Sequence, residues 1–299
     1  MIRLTPKELD VLNALDKLTS ALDLSSRLEA DPIRFPRRFD DPLDIEVISL
    51  FTALLSYGRA SQIGIAVEDV LGRLGPTPAL SAREDAELRI LKKTFPSRFE
   101  GFKYRFTEGA DLDRLWFGVG SVLAQHGSLG AVIRGALKES DDTLIPAYTA
   151  LHRELLSATR SHSGGKGFQH LLSDPSRGSA LKRVNMWLRW MVRGPDEIDF
   201  GLWSDLNSSR LLIPLDVHVS RLSRALGMTQ RKANDLKTAL EVSAFLKRLD
   251  PHDPIRFDFA LAHLGISGAC VGYRVHEICE ACPLTSLCTL QPKSRSRNG

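Results

Sequence analysis

All four cysteines of the chain fall close together near its end: Cys270, then eight residues, Cys279, two, Cys282, five, Cys288. Four thiolates can hold a zinc ion tetrahedrally or an iron–sulfur cluster. Zinc modules as a rule take two Cys-x2-Cys pairs, and here only Cys279 and Cys282 form one. Disulfides are the other use of four cysteines, and they belong to secreted chains. The opening MIRLTPKELDVLNALDKL has no uninterrupted apolar stretch of the kind a secretion signal needs. Reduced thiols and metal ligation are therefore expected.

Two upstream stretches carry further groups able to do chemistry. Gly178-Ser-Ala-Leu-Lys182-Arg-Val-Asn185 opens a segment where Val184, Trp187, Leu188 and Met191 fall at i, i+3, i+4 and i+7, the buried stripe of an amphipathic helix. Lys182, Asn185, Arg189 and Arg193 fall on the opposite side. Such a row is either an ordinary solvated face or a surface that meets phosphates. In Ile213-Pro-Leu-Asp-Val-His-Val219, Asp216 precedes an apolar-periodic helix, Val217–Leu226, that Gly227 terminates. An aspartate there is first an N-cap for the opening helical amides. His218, His263, Trp187 and Trp190 read as packed residues rather than acid–base groups or stacking platforms.

Helical periodicity dominates the frame that must hold these groups. Apolar residues recur at Leu9, Leu12, Leu15 and Leu18 across Pro6–Leu22, with Thr5 as a cap ahead of Pro6. The proline-bearing joint from Asp31 to Pro42 is expected to be extended. Further helices are expected over Leu43–Ser56, Ser61–Leu74, Asp85–Thr94, Asp111–His126, Leu129–Glu139 and Leu144–Thr159. No run of strict alternation competes with them. Ser161-His-Ser-Gly-Gly-Lys-Gly167 matches no phosphate-loop fingerprint and reads as a linker. Phe102-Lys-Tyr-Arg-Phe106 interleaves basic and aromatic residues as single-strand binders do, but so short a run suits a buried helix–loop junction better. The tail Lys293–Arg297 is basic and expected to be disordered.

Length and composition bound the class. A chain of 299 residues, 43% hydrophobic, can fill one large domain or two modest ones. Its longest mostly apolar run, Val47–Tyr57, is too short to span a bilayer, so no membrane partner is expected. A net charge of +4 permits a nucleic-acid partner without requiring one. The expectation is a soluble, cytoplasmic protein.

In order and residue type the three stretches resemble the helix–hairpin–helix DNA glycosylases, endonuclease III and the related adenine glycosylase. That family carries its lysine in a hairpin of the type Leu-Pro-Gly-Val-Gly-Arg-Lys-Thr-Ala-Asn and its aspartate in Val-Asp-Thr-His, and closes with a four-cysteine [4Fe–4S] loop. Here Gly178–Asn185 lies over Gly-Val-Gly-Arg-Lys-Thr-Ala-Asn, and Leu215-Asp216-Val217-His218 over Val-Asp-Thr-His. Ala262-His263-Leu-Gly265 leads into Cys270 as a His-Gly segment leads into the family's first cysteine. Leu54-Leu-Ser56 resembles the Leu-Leu-Ser segment near the family's DNA-facing loop. Phe35-Pro-Arg-Arg-Phe39, Phe102–Phe106 and Asn185-Met-Trp-Leu-Arg-Trp190 look like a branch catalogued as a domain of unknown function, a sister to endonuclease III. The departures are specific. Ala180 stands at the hairpin's second glycine and Arg177 at its proline, and the first cysteine gap is longer here. Lys182 and Asp216 lie 34 positions apart because Arg193–Leu212 inserts a polar loop. Tyr57-Gly-Arg59 replaces the family's glutamine plug, and Arg59 or Tyr57 would fill the gap left by a flipped base.

The resemblance implies an all-α, two-lobed helix–hairpin–helix glycosylase-like fold with a C-terminal iron–sulfur loop. Residues 1–40 would be an N-terminal helix and linker packing with the C-terminal lobe, and 41–200 a helical barrel with the hairpin. Residues 201–290 would form the aspartate-bearing helix and cluster lobe, and 291–299 a basic tail. DNA and the active pocket would lie between the lobes. The implied activity is that of a base-excision-repair glycosylase, a monomer acting on damaged double-stranded DNA, with an AP lyase step through a lysine Schiff base. Lys182 would attack the sugar C1′ and Asp216 would stabilise the positive charge that develops there. Cys270, Cys279, Cys282 and Cys288 would hold the [4Fe–4S] cluster, zinc being the alternative. Gly178, Arg59, Arg189, Arg193 and Arg274 would meet DNA. The rival reading is a non-catalytic iron–sulfur nucleic-acid-binding protein on the same fold, which the altered hairpin and long insert would suit. A zinc-stabilised interaction protein is the third.

Overall fold

The computed structural model describes residues 3–92, 97–159 and 165–293. The end of the helix expected over Asp85–Thr94, the start of the Ser161–Gly167 loop and the tail beyond Lys293 lie outside the described residues. In chain order come α1 (Pro6–Ser20), α2 (Leu24–Ala30), α3 (Pro42–Leu55), α4 (Ala60–Leu74) and α5 (Pro78–Lys92). A short antiparallel pair follows, β1 (Lys103–Tyr104) and β2 (Thr107–Glu108), then α6 (Gly109–His126), α7 (Leu129–Ala136), α8 (Ile145–Ala158) and α9 (Lys166–Leu171). The chain closes with α10 (Lys182–Val192), α11 (Val217–Ala225), α12 (Leu236–Leu249), α13 (Asp258–Ile266) and α14 (His276–Cys279). The protein is mostly helical, as expected of an all-α chain. No described helix is long and apolar enough to cross a membrane.

Two compact units divide the chain. One comprises residues 28–177 and 186–210. Its centre is α3, mostly apolar and buried continuously from Asp44 to Leu55, as a predominantly apolar helix is. Asp41 starts it by accepting amide hydrogen bonds from Leu43 and Asp44 at 2.9 and 3.2 Å. Within it, Glu46 accepts from the Leu129 and Gly130 amides at 2.6 and 2.9 Å and from the Trp203 indole at 2.8 Å. A carboxylate at the start of α7 complements that helix's dipole. Burial nevertheless pushes the Glu46 pKa up, and the amide bonds only partly oppose it.

The joint before α3 is not extended. Pro32–Arg34 and Pro36–Arg38 are two 3-10 turns. Proline's fixed φ suits the first position of such a turn as well as an extended chain, and the Asp31 carboxylate accepting from the Ile33 amide at 2.9 Å tips the choice. The insert at 193–212 is also no loose polar loop. Asp199, Trp203 and Leu206 are buried, and Trp203 meets Trp187 edge-on with centroids 5.0 Å apart. Phe102–Phe106 lies in a β-hairpin rather than a helix–loop junction, with Tyr104 opposite Thr107.

The other unit comprises the chain up to residue 27, residues 178–185 and the chain from 211 onward. Thr5 and Glu8 cap α1 reciprocally, the Glu8 carboxylate accepting from the Thr5 amide at 2.8 Å and the Thr5 hydroxyl oxygen from the Glu8 amide at 3.3 Å. Helix α1 packs on α12 and α13. Arg248 donates to both oxygens of Glu8 at 2.6 and 3.0 Å, and Arg256 bridges Asp16 and Asp250 at 2.7 and 2.8 Å. Helix α11 lies against α13. This unit holds the cysteines, Lys182 and Asp216, so the hairpin segment Gly178–Asn185 groups here and not with residues 41–200, where it was expected.

Candidate functional site

The cysteine loop is a succession of tight turns. Gly268 takes φ +79 after α13, and the Cys270 amide donates back to the Leu264 carbonyl at 2.8 Å. Turns bonded from Cys282 to Cys279, Thr285 to Cys282 and Cys288 to Leu284 follow, at 3.2, 3.0 and 2.9 Å. The Thr289 amide then ties the end of the loop to the Ala225 carbonyl of α11 at 3.0 Å. All four thiols are free and half-buried, and all four line one cavity walled by Leu222, Leu264 and Leu284. Burial pushes the Cys282 thiol pKa up, and the other three cysteines push the same way. Against these act backbone donors: the Leu284 amide favours the Cys282 thiolate, and the Val275 amide lies 3.5 Å from the Cys279 sulfur. Among the described residues no three Cys, His, Asp or Glu side chains are grouped as a single ion requires.

Asp216 caps α11. Its Oδ1 accepts from the His218 and Val219 amides at 2.8 and 2.7 Å, and no hydrogen bond from the described residues reaches its Oδ2. His218 packs against α13 at Gly265, which makes room for it: a Cβ there would stand 2.3 Å from the imidazole Nδ1. The Arg221 Nη2 lies 3.3 Å from His218 Nδ1 and 3.3 Å from the Cys270 carbonyl. Its Nε is buried without a hydrogen-bond partner. The aspartate helix and the cysteine loop are thereby joined through the Arg221 guanidinium and the Cys270 carbonyl. His263 is buried and packs on Phe259, with centroids 4.1 Å apart.

Lys182 opens α10, so the positive end of that helix dipole lies at the turn Gly178–Leu181. Gly178 takes φ +72 and Leu181 φ +49. The left-handed positions are thus Gly178 and Leu181, and Ala180 between them is not left-handed, so its side chain carries no backbone strain. The turn is pinned to the start of α12: Ser179 pairs with Asp235, and the Leu236 amide donates to the Gly178 carbonyl at 2.9 Å. The Asn185 side chain donates to the Ala180 carbonyl at 3.0 Å.

The basic residues divide. Arg59 and Arg274 are exposed, although the Arg274 guanidinium also lies 3.4 Å from the Cys288 carbonyl. Arg189 does not belong to a solvated face. It is 4% exposed and paired at 3.0 Å with Asp199, whose side chain is fully buried. Arg193 reaches Asp196 and Asp199 at 2.5 and 2.8 Å. Asn185 is buried too, so α10 is enclosed on nearly all sides and the two-faced reading of it is corrected. The insert supplies Asp199, and a carboxylate 10 residues away in sequence could not be anticipated from helix periodicity. Sequence reasoning also missed Arg221 and Arg224. The latter gathers the Arg231, Lys232 and Ala233 carbonyls at 2.6, 2.9 and 3.0 Å. Their signal was present, two arginines three apart on one helix face, but their targets are distant in sequence.

No curated protein and no solved structure matches this chain. One family model does match, over residues 31–267. The chain accordingly belongs to the family described as protein of unknown function (DUF2400).

Proposed function

We propose that the protein is an iron–sulfur DNA glycosylase of base excision repair, with the helix–hairpin–helix glycosylase type of fold. The observation that carries the reading is the membership of one compact unit. Gly178–Asn185 is taken out of the surrounding sequence and grouped with residues 211 onward, which brings the segments bearing Lys182, Asp216 and the four cysteines into a single body. A repair enzyme must flip its base out of the stack, hold the backbone without reading sequence, and assist cleavage at the sugar. The turn at the start of α10 suits the backbone contact. Lys182 is the nucleophile of a lyase step, and Asp216, with Oδ2 uncommitted, stabilises positive charge on the sugar.

Cys270, Cys279, Cys282 and Cys288 would hold a [4Fe–4S] cluster, which would supply a structural anchor for the loop and a negative centre in the cavity that Arg274 also lines. Zinc at about 2.3 Å from each sulfur needs the sulfurs roughly 4 Å apart. Four thiols lining one cavity support a shared centre, and the single Cys-x2-Cys pair favours the cluster over zinc.

The test is anaerobic purification, a visible spectrum with iron content, and incubation with abasic-site duplex under borohydride. A brown protein trapped covalently by the wild type and not by Lys182→Ala supports the lyase. A brown protein that binds duplex without trapping removes the lyase step. A protein that binds no DNA overturns the reading.

A further inference from the structure

The loop Tyr57–Arg59 packs against the β1–β2 hairpin, and the aromatic left exposed there is Phe106. The Tyr57 hydroxyl donates to the Tyr104 carbonyl at 3.0 Å and lies 2.8 Å from the Thr107 hydroxyl. The Tyr104 hydroxyl donates in return to the Tyr57 carbonyl, and the two rings lie 4.9 Å apart. His170 meets Tyr57 edge-on at 4.6 Å. Held this way, Tyr57 is a strut of the hairpin and not a side chain able to enter a duplex.

Phe106 is the reverse case. It is 59% exposed, while its neighbours Phe102 and Tyr104 are buried and anchor the hairpin. Its ring touches only the edge of this cluster, 5.1 Å from His170, with the Arg105 guanidinium 5.7 Å from its centroid. Arg105 takes φ +52 at the turn. Gly58 allows the close approach, since a Cβ there would stand 3.0 Å from both Arg105 Nη1 and the Tyr104 hydroxyl. Lys103 and Arg59 are exposed nearby in the same unit, and Glu108 is the carboxylate facing Lys103, at 3.5 Å. A rigid support presenting one aromatic ring among three cations matches what a nucleic acid needs: a face for a base and charges for the phosphates either side.

We infer that Phe106, at the tip of the β1–β2 hairpin, is a stacking wedge for an unpaired or displaced DNA base, with Arg105, Lys103 and Arg59 on the flanking phosphates. This rests on the DNA-binding reading above and names where the strand is gripped. The test uses the full chain, loaded with its metal, and fluorescence anisotropy with an abasic-site duplex and a fully paired duplex of the same sequence. Phe106→Ala should weaken binding to the abasic duplex about 10-fold, the loss of one base–aromatic stack, leave the fully paired duplex little changed, and keep the wild-type melting temperature. Phe106→Trp should restore the affinity. Wild type and Phe106→Ala binding the abasic duplex equally overturns the wedge while leaving DNA binding intact. A wild type that binds neither duplex overturns both readings together.

Discussion

Asp216 performs one task visible in the structure and one inferred from its place, and two substitutions separate them. Its Oδ1 takes the His218 and Val219 amides at 2.8 and 2.7 Å. Asp216→Ala leaves both donors unmet, a loss of about 1 kcal/mol for an N-cap. The melting temperature of a unit of this size should then fall by about 4 °C. Asp216→Asn keeps an oxygen in the same place and removes the charge, so it should cost only about 0.5 kcal/mol through the helix dipole. Chemistry should order the variants differently. If the carboxylate stabilises a cationic sugar, both substitutions should slow base release or borohydride trapping roughly 100-fold, the scale of one lost electrostatic contact. Calorimetric melts alongside single-turnover reactions on one DNA substrate measure both effects. An Asn variant that reacts at the wild-type rate would refute the charge argument, and an Ala variant with an unshifted melt would refute the cap.

Three further expectations follow from the packing. Arg189→Ala should cost about 3 kcal/mol by removing the more buried of the two cations that face Asp199 and leaving Arg193 alone against it, whereas Arg274→Ala should leave the melt unchanged and, if the protein binds DNA as proposed, lower the salt slope of that binding by about 1; equal melts for the two would sink the assignment. Gly265→Ala drives a methyl into the His218 ring and should destabilise by about 2 kcal/mol and, if the cysteines hold the proposed cluster, lower iron content, because α11 carries Arg221 to the Cys270 carbonyl; a variant melting at or above wild type would contradict this. Hydrogen bonds from Arg248, then from the Thr5 amide and hydroxyl, hold the Glu8 pKa down to about 2 from an ordinary 4.5. The folded state thus binds fewer protons than the unfolded chain between these values, and the contribution of the clasp is complete above pH 4.5 and disappears as pH falls towards 2. Melts of wild type and Glu8→Gln taken from about pH 6, on the plateau, down to about pH 3, inside the window, should converge on acidification; parallel curves would count against the clasp.

Local patterns determined a large part of this protein. The apolar spacing of α1, the cap at Thr5, the proline and glycine breaks around α3 and α4, and the aspartate ahead of α11 are all short-range signals, because capping and helical burial act within one or two turns. The clustering of four cysteines was legible for the same reason. What neighbours in sequence cannot settle is who lies opposite. Helix α10 reads as two-faced, yet it is enclosed, because the insert folds back and supplies Asp199 and Trp203. Phe102–Phe106 reads as a junction, yet it is a hairpin, because Tyr57 arrives from 47 residues away to brace Tyr104. Only tertiary packing could bring Arg221 to the Cys270 carbonyl or leave Phe106 exposed. Burial and partner choice depend on contacts between distant segments, and a periodicity carries no information about them.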